Sequence, residues 1–291
     1  MDRDDKIALI TIPLAVAIGA AFAWAGASVP VFTLGKFPVI WVCIAAAFVI
    51  QWLAFVPAYL FRTEKFYDFT GSITYLSITL FAIKMNPHSD LRSRLIASFI
   101  AVWAIRLGFF LFSRILKAGE DSRFANIRGK FLRFLMAWTL QGLWVTFSLA
   151  AGLTALTSLP VRMDVFGYVG AGLWLVGFLI EATADYQKGR FRRDAQNKGR
   201  FITSGLWSWS RHPNYFGEIV LWTGIAVMAY PVLAGWQLAT LVSPLFVTLL
   251  LTKISGIPLL EEAADKKWGG QKEYEEYKRR TSVLLLLPPR S

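Results

Sequence analysis

The chain has 291 residues, 55% of them hydrophobic, with 12 tryptophans and a formal net charge of +12. Apolar residues at this density, gathered in blocks, exclude a soluble globular domain and mark a polytopic membrane protein. One cysteine, Cys43, and two histidines, His88 and His212, exclude a disulfide framework and argue against a dedicated zinc site. The positive charge calls for no nucleic acid, because loops facing anionic lipid account for most of it.

Residues 7–35, 37–61, 69–83, 134–161, 165–180 and 219–252 carry no charge, and 95–113 carries only Arg106. A bilayer core takes about 20 apolar helical residues, so most of these runs are spanning candidates, 69–83 being the shortest. Ala25-Gly26-Ala27 fits a signal-peptide cleavage site, but MDRDDK is net acidic and the apolar run overlong, so an uncleaved first helix is expected. As one helix, the 34 residues of 219–252 would extend about 50 Å, against a core of about 30 Å. Tyr230-Pro231 and Gly235 favour a turn there, giving a hairpin of helices near 217–231 and 236–253. The expected fold is an all-α bundle of about seven or eight transmembrane helices with cytoplasmic cofactor-binding loops. Residues 1–130 form its N-terminal, substrate-side helices, and 131–291 its C-terminal region with a tail.

With the N-terminus in the cytoplasm, the inner segments 1–6, 62–68, 114–133, 186–211 and 253–291 hold 25 Lys and Arg residues. The outer segments, near 36, 84–94, 162 and 234, hold 5. The excess places both termini inside.

Residues 186–211 carry seven basic residues against Asp194, interleaved with Phe191, Phe201, Trp207 and Trp209. Lipid-headgroup contact is one explanation. A folded loop holding a polyanion with an aromatic part is the other, and Asn197, Gly199, Ser204 and Gly205 favour it. Upstream, Glu181 and Asp185 lie four apart on one helical face at membrane depth. They can pair with nearby arginines or bind ribose hydroxyls or an amide. Downstream, in SRHPNYFGE, Pro213 can open a helix whose first turn sets Asn214 and Glu218 on one face. No interfacial anchor needs that pair, and a site explains it better. The tail is expected to be a solvated, mixed-charge cap, helical to Gly269-Gly270, with Glu261 and Glu262 ambiguous.

The string DYxxxxxR…GRFITSGLWSWSRHPNYFGE resembles the C-terminal half of the steroid 5-alpha-reductase superfamily, nearest to its broad bacterial branch of membrane reductases. The likeness covers about 165–290, and residues 1–130 match only in hydrophobic pattern. Sterol C14 reductases and isoprenylcysteine carboxyl methyltransferases share the region more distantly. The resemblance implies NADPH held by Glu181, Asp185, Arg192, Arg200, Trp207, Arg211, His212, Asn214, Tyr215, Glu218 and Lys253. Here Glu181 replaces the family's Asn, and Ile257 and Glu261 stand near its tail His-x-x-x-Tyr. It also implies a proton donor in the N-terminal half. Tyr75 and Asp68, seven apart within 62–75, are the nearest cluster, with Arg106 as a partner for Asp68. A first-turn role for Asp68 and simple packing for Tyr75 are the plainer alternatives.

The implied activity is reduction of the carbon–carbon double bond of a hydrophobic enone, 3-oxo-steroid-like or another lipid, drawn from the bilayer of a bacterial inner membrane. The alternative is an S-adenosylmethionine-dependent membrane methyltransferase, since His212-Pro213 and Glu261-Glu262 also fit that outline. The seven cations favour the reductase, because S-adenosylmethionine has no phosphate to neutralise. A scaffold that has lost activity is the third possibility. The sequence fixes no metal ligand and no oligomeric state.

Overall fold

A computed structural model describes residues 2–119 and 121–290. Its helices are α1 (Arg3–Gly26), α2 (Val39–Leu60), α3 (Tyr67–Met85), α4 (Leu91–Ala118), α5 (Phe131–Thr157), α6 (Val165–Arg193), α7 (Pro213–Ala229), α8 (Ser243–Leu249), α9 (Ile257–Trp268) and α10 (Lys272–Arg280). A two-residue antiparallel hairpin, Thr33–Leu34 with Phe37–Pro38, turns through Gly35 at φ +61° between α1 and α2. The protein is an all-α polytopic membrane protein. Among the described residues seven helical stretches are long and apolar enough to cross a membrane. The 69–83 run does form a helix, α3, which is not among the seven; Thr70, Ser72, Thr74, Tyr75 and Thr79 on it are all buried.

The chain divides into two compact units, one of residues 1–168 with 228–243, the other of 169–227 with 244–291. Within the first unit α5 packs on α1, α2 and α3. Polar contacts sit in that unit's interior. Gln51 Nε2 donates to Thr74 Oγ1 at 2.8 Å. The fully buried Arg92 donates to Met228 O, Arg162 O and Asp164 Oδ1, satisfying carbonyls where helices end.

In the second unit α6 and α7 meet along glycines. A Cβ on Gly177 would lie 2.5 Å from the Leu221 nitrogen, and one on Gly224 would lie 2.6 Å from Gly170 O. Only glycine admits backbones this close, the usual device for joining helices in lipid, where apolar side chains gain nothing by meeting. After α7 the chain turns through Tyr230–Val232, as Pro231 predicts. The second limb differs from a plain helix: it is 3-10 over Gly235–Val242, α over Ser243–Leu249 and π over Leu250–Ile254.

Candidate cofactor site

Glu181 and Asp185, one turn apart on α6, are both buried, Glu181 to 2% exposure. The glycine seam explains their depth: a Cβ on Gly217 would stand 2.6 Å from the Glu181 nitrogen, so α7 closes directly over them. Pro213 begins α7, as its fixed φ and missing N–H favour. In the next turns Asn214 donates Nδ2 to Asp185 Oδ1 at 3.3 Å, and Glu218 is buried. Three carboxylates and an amide are thus gathered on adjoining turns of two helices. Carboxylates at membrane depth are costly and mark functional sites.

Glu261, on the first turns of α9, accepts Arg211 Nη1 at 2.5 Å and His212 Nε2 at 2.7 Å on its two oxygens. Tyr215 stacks on His212 with ring centroids 5.7 Å apart, and Gly256 makes room for it, since a Cβ there would lie 2.9 Å from Tyr215 Cε2. Burial holds the His212 pKa below its ordinary value, against the opposing pull of Glu261, so the imidazole is neutral near pH 7. A carboxylate only accepts, so the ring proton is on Nε2. Nδ1 is left as a buried acceptor with no hydrogen-bond partner among the described residues. The sequence assigned Arg211 and His212 to the cofactor. In the structure Glu261 engages Arg211 Nη1 and His212 Nε2.

The same reading assigned Trp207 to the cofactor. It is buried, donates Nε1 to Ala184 O at 3.0 Å, and carries Lys188 Nζ 4.1 Å above its ring, contacts that brace the loop. The loop is folded as anticipated: Asp194 caps a 3-10 turn, Gly205 turns at φ +63°, and Leu206 N donates to Gln187 Oε1 at 3.0 Å. Arg192, Arg200 and Lys253 are exposed.

The tail is more than a solvated cap. Helix resumes as α10 after Gly269-Gly270, and the tail clasps the basic loop. Trp268 Nε1 donates to Gly199 O at 2.6 Å and Tyr277 Oη to Trp207 O at 2.7 Å. The Phe201 ring packs among Trp268, Tyr274 and Tyr277, and the Arg211 nitrogen donates to Ser282 O at 2.8 Å. Sequence reasoning missed this clasp. Its one signal was the spacing of aromatics through a highly charged segment.

In the first unit Tyr75 is buried, its hydroxyl 2.7 Å from Ser148 Oγ and its ring edge-on to Trp103. Asp68 lies in the first turn of α3. It pairs with Arg114 at 3.5 Å and with Arg123 at 3.2 Å. Arg123 also binds Asp121, so Asp68 belongs to a charged network joining two loops. Among the described residues no group of three or more His, Cys, Asp or Glu side chains could hold a metal ion.

The model of a family described as "Protein of unknown function (DUF1295)" matches residues 54–281. The chain is 30% identical over 117 residues to the 3-oxo-5-alpha-steroid 4-dehydrogenase 1 of Rattus norvegicus, covering 40% of this chain and 39% of that protein. It is 30% identical to a probable 7-dehydrocholesterol reductase of Acanthamoeba polyphaga mimivirus, covering 31% and 24%. It is also 30% identical over 74 residues to the probable O-methyltransferase ustE of Ustilaginoidea virens, covering 25% and 26%. The chain therefore spans less than half the length of each of these relatives, and no solved structure matches it significantly. With most of its length matched by the family model and similarity to steroid and sterol reductases alike, the chain belongs to the DUF1295 family of the steroid 5-alpha-reductase superfamily.

Proposed function

We propose that the chain is an NADPH-dependent membrane reductase that saturates the carbon–carbon double bond of a hydrophobic enone, 3-oxo-steroid-like or another lipid. The observation that carries this is the Asp185–Asn214 contact, 3.3 Å, set between buried Glu181 and Glu218 and running directly into the basic segment 186–211. The donor set suits a dinucleotide. Carboxylates and an amide match ribose hydroxyls and a carboxamide, and the exposed Arg192, Arg200 and Lys253 match phosphates.

When bound, NADPH supplies the hydride. The remaining work falls to the chain. Asp185, Asn214, Glu181 and Glu218 hold and orient the cofactor at membrane depth, and the surrounding apolar helices exclude water. Tyr75 is the proton donor. The Tyr75 hydroxyl lies 2.7 Å from Ser148 Oγ, which itself bonds Trp144 O, and in this reading an enone oxygen takes the Tyr75 proton. A positioned donor of this kind contributes roughly 10²–10⁴ in rate. The balanced outcome is one hydride and one proton added across the double bond.

One arrangement favours a second reading, a methyltransferase that uses S-adenosylmethionine. Arg211, His212 and Glu261 form a compact polar unit that a reductase does not require, and one relative carries the name of a probable O-methyltransferase. The test is a thermal-stability titration of the full chain in detergent with NADPH and with S-adenosylmethionine. A ligand at about 100 times its dissociation constant adds roughly 2.7 kcal/mol. Stabilisation by NADPH alone supports the reductase. Stabilisation by S-adenosylmethionine alone replaces it with the methyltransferase, and silence from both leaves a non-enzymatic member of the family.

A further inference from the structure

The first unit contains a cavity of about 500 Å³ lined by Phe61, Arg62, Thr63, Glu64, Lys65, Gly119 and Arg128. It involves none of the residues given to the cofactor or the proton donor. On its floor Glu64 is buried, accepts the Asp121 nitrogen on Oε1 at 2.9 Å and faces Arg128 Nη1 across 3.4 Å on Oε2. Among its described lining residues three cations, Arg62, Lys65 and Arg128, stand with one carboxylate, Glu64. Arg62 and Lys65 are exposed at the rim, and among the described residues neither has an ion-pair partner.

The backbone at Arg62 singles it out. α2 ends with the Thr63 nitrogen donating to Ala58 O at 2.9 Å and the Arg62 nitrogen to Tyr59 O at 3.2 Å, the paired bonds of a Schellman cap. That cap puts Arg62 at φ +49°, and it is the one non-glycine residue with positive φ among those described. Glycine is the low-energy choice there. A guanidinium kept at a strained position, although the cap itself already satisfies the helix carbonyls, argues for a task beyond ending the helix. At the mouth, Leu60 and Phe61 are 69% and 78% exposed at the end of a candidate span, where acyl chains give way to headgroups.

We propose that this cavity binds a phosphate group, held by Arg62, Lys65 and Arg128, with Leu60 and Phe61 receiving the apolar chain of an amphiphile that carries it. Basic recesses at the ends of transmembrane helices suit acidic lipid headgroups in this way. An acidic phospholipid and free phosphate share the recognising chemistry, and the experiment separates them.

The full chain is reconstituted in nanodiscs of phosphatidylcholine with and without phosphatidylglycerol, and co-purifying lipid is measured by native mass spectrometry. Inorganic phosphate is titrated separately in phosphatidylcholine discs, with thermal stability as the readout. The expected result is selective retention of phosphatidylglycerol, reduced about tenfold or more in the Arg62→Gln/Lys65→Gln double variant. Arg62→Gly serves as the second variant, because glycine fits the left-handed backbone and keeps the cap. It should lose lipid selectivity while melting at or above the wild-type temperature in phosphatidylcholine alone. Stabilisation by inorganic phosphate, absent in both variants, with no lipid selectivity, supports the same site with a soluble source. Equal retention of both lipids and no response to phosphate overturns the proposal, as does unchanged selectivity in a folded Arg62→Gly chain.

Discussion

At the scale of single residues, the carboxylate of Glu261 joins two parts of the chain about fifty residues apart through Arg211 and His212. Replacing it with glutamine leaves a nearly buried guanidinium facing a neutral amide. Glu261→Gln should therefore cost about 1–3 kcal/mol of stability, read as a lower melting temperature in detergent. Among the described residues its neighbour Glu262 pairs with the exposed Lys266 alone, so Glu262→Gln should leave the melting temperature unchanged. His212 adds a pH dependence. Burial first, then the charges of Lys188 and Arg211, hold its folded pKa below the ordinary value of about 6.5, while Glu261 pulls the other way. As the pH drops below about 6.5, the unfolded chain takes up the proton first. The stability associated with neutral His212 is complete above that value and is lost as pH falls through the folded value. Between pH 7.5 and 5.5 the wild type should lose more stability than His212→Asn. Equal losses would assign the acid sensitivity elsewhere. Among the exposed cations, Arg200→Ala should weaken NADPH binding far more than NADH binding if it holds the 2′-phosphate. Equal weakening would remove it from that role.

At the scale of elements, the α6–α7 seam links packing to the site. Gly217 faces the backbone of Glu181 so closely that an added methyl group must push the helices apart, since backbone cannot give way as a flexible side chain can. Gly217→Ala should lower stability by about 1–3 kcal/mol and weaken cofactor binding together, because Glu181 moves with the seam. Gly172, also on α6, has open space where its Cβ would go, and Gly172→Ala should alter neither. Wild-type binding by a destabilised Gly217→Ala chain would detach the carboxylates from the seam. Much of this level was legible in the sequence. Charge-free runs located the helices, Pro213 the start of α7, and Tyr230-Pro231 the hairpin turn, because each follows from local backbone chemistry. The four-residue spacing of Glu181 and Asp185 announced a shared buried face. What stayed hidden was partnership between distant segments. Asn214 was set with Glu218 on its own helix, and only the fold shows it touching Asp185. Charged segments such as 257–280 read as solvated helices, since periodicity reveals a helix but not what it clasps. Asp68 shows the same limit, since Arg114 and Arg123, which pair with it, lie on a helix end and a loop that no spacing rule connects to it.

For the whole molecule, charge asymmetry gives a statement about orientation that the fold alone does not. Twenty-five of the basic residues fall in the segments assigned to the inside and five in those outside, a bias that orients multi-span proteins strongly when the loops are short. Two exposed lysines lie on opposite sides in this assignment, Lys36 in the hairpin turn between α1 and α2 and Lys272 at the start of α10. The sole cysteine, Cys43, is buried, so the natural chain is nearly silent toward a thiol reagent and needs no cysteine removal. A membrane-impermeant maleimide should label Lys36→Cys in intact cells and Lys272→Cys only after permeabilisation. The consequence is functional as well as topological. The loop of Arg192 and Arg200 is clasped by the segment that carries Lys272, through Trp268 to Gly199 and Tyr277 to Trp207, so both share one side of the membrane. With that orientation the loop would meet a cytoplasmic pool of reduced nucleotide. Labelling of Lys272→Cys in intact cells would put the same loop where no such pool exists, and the dinucleotide assignment would fall with the orientation.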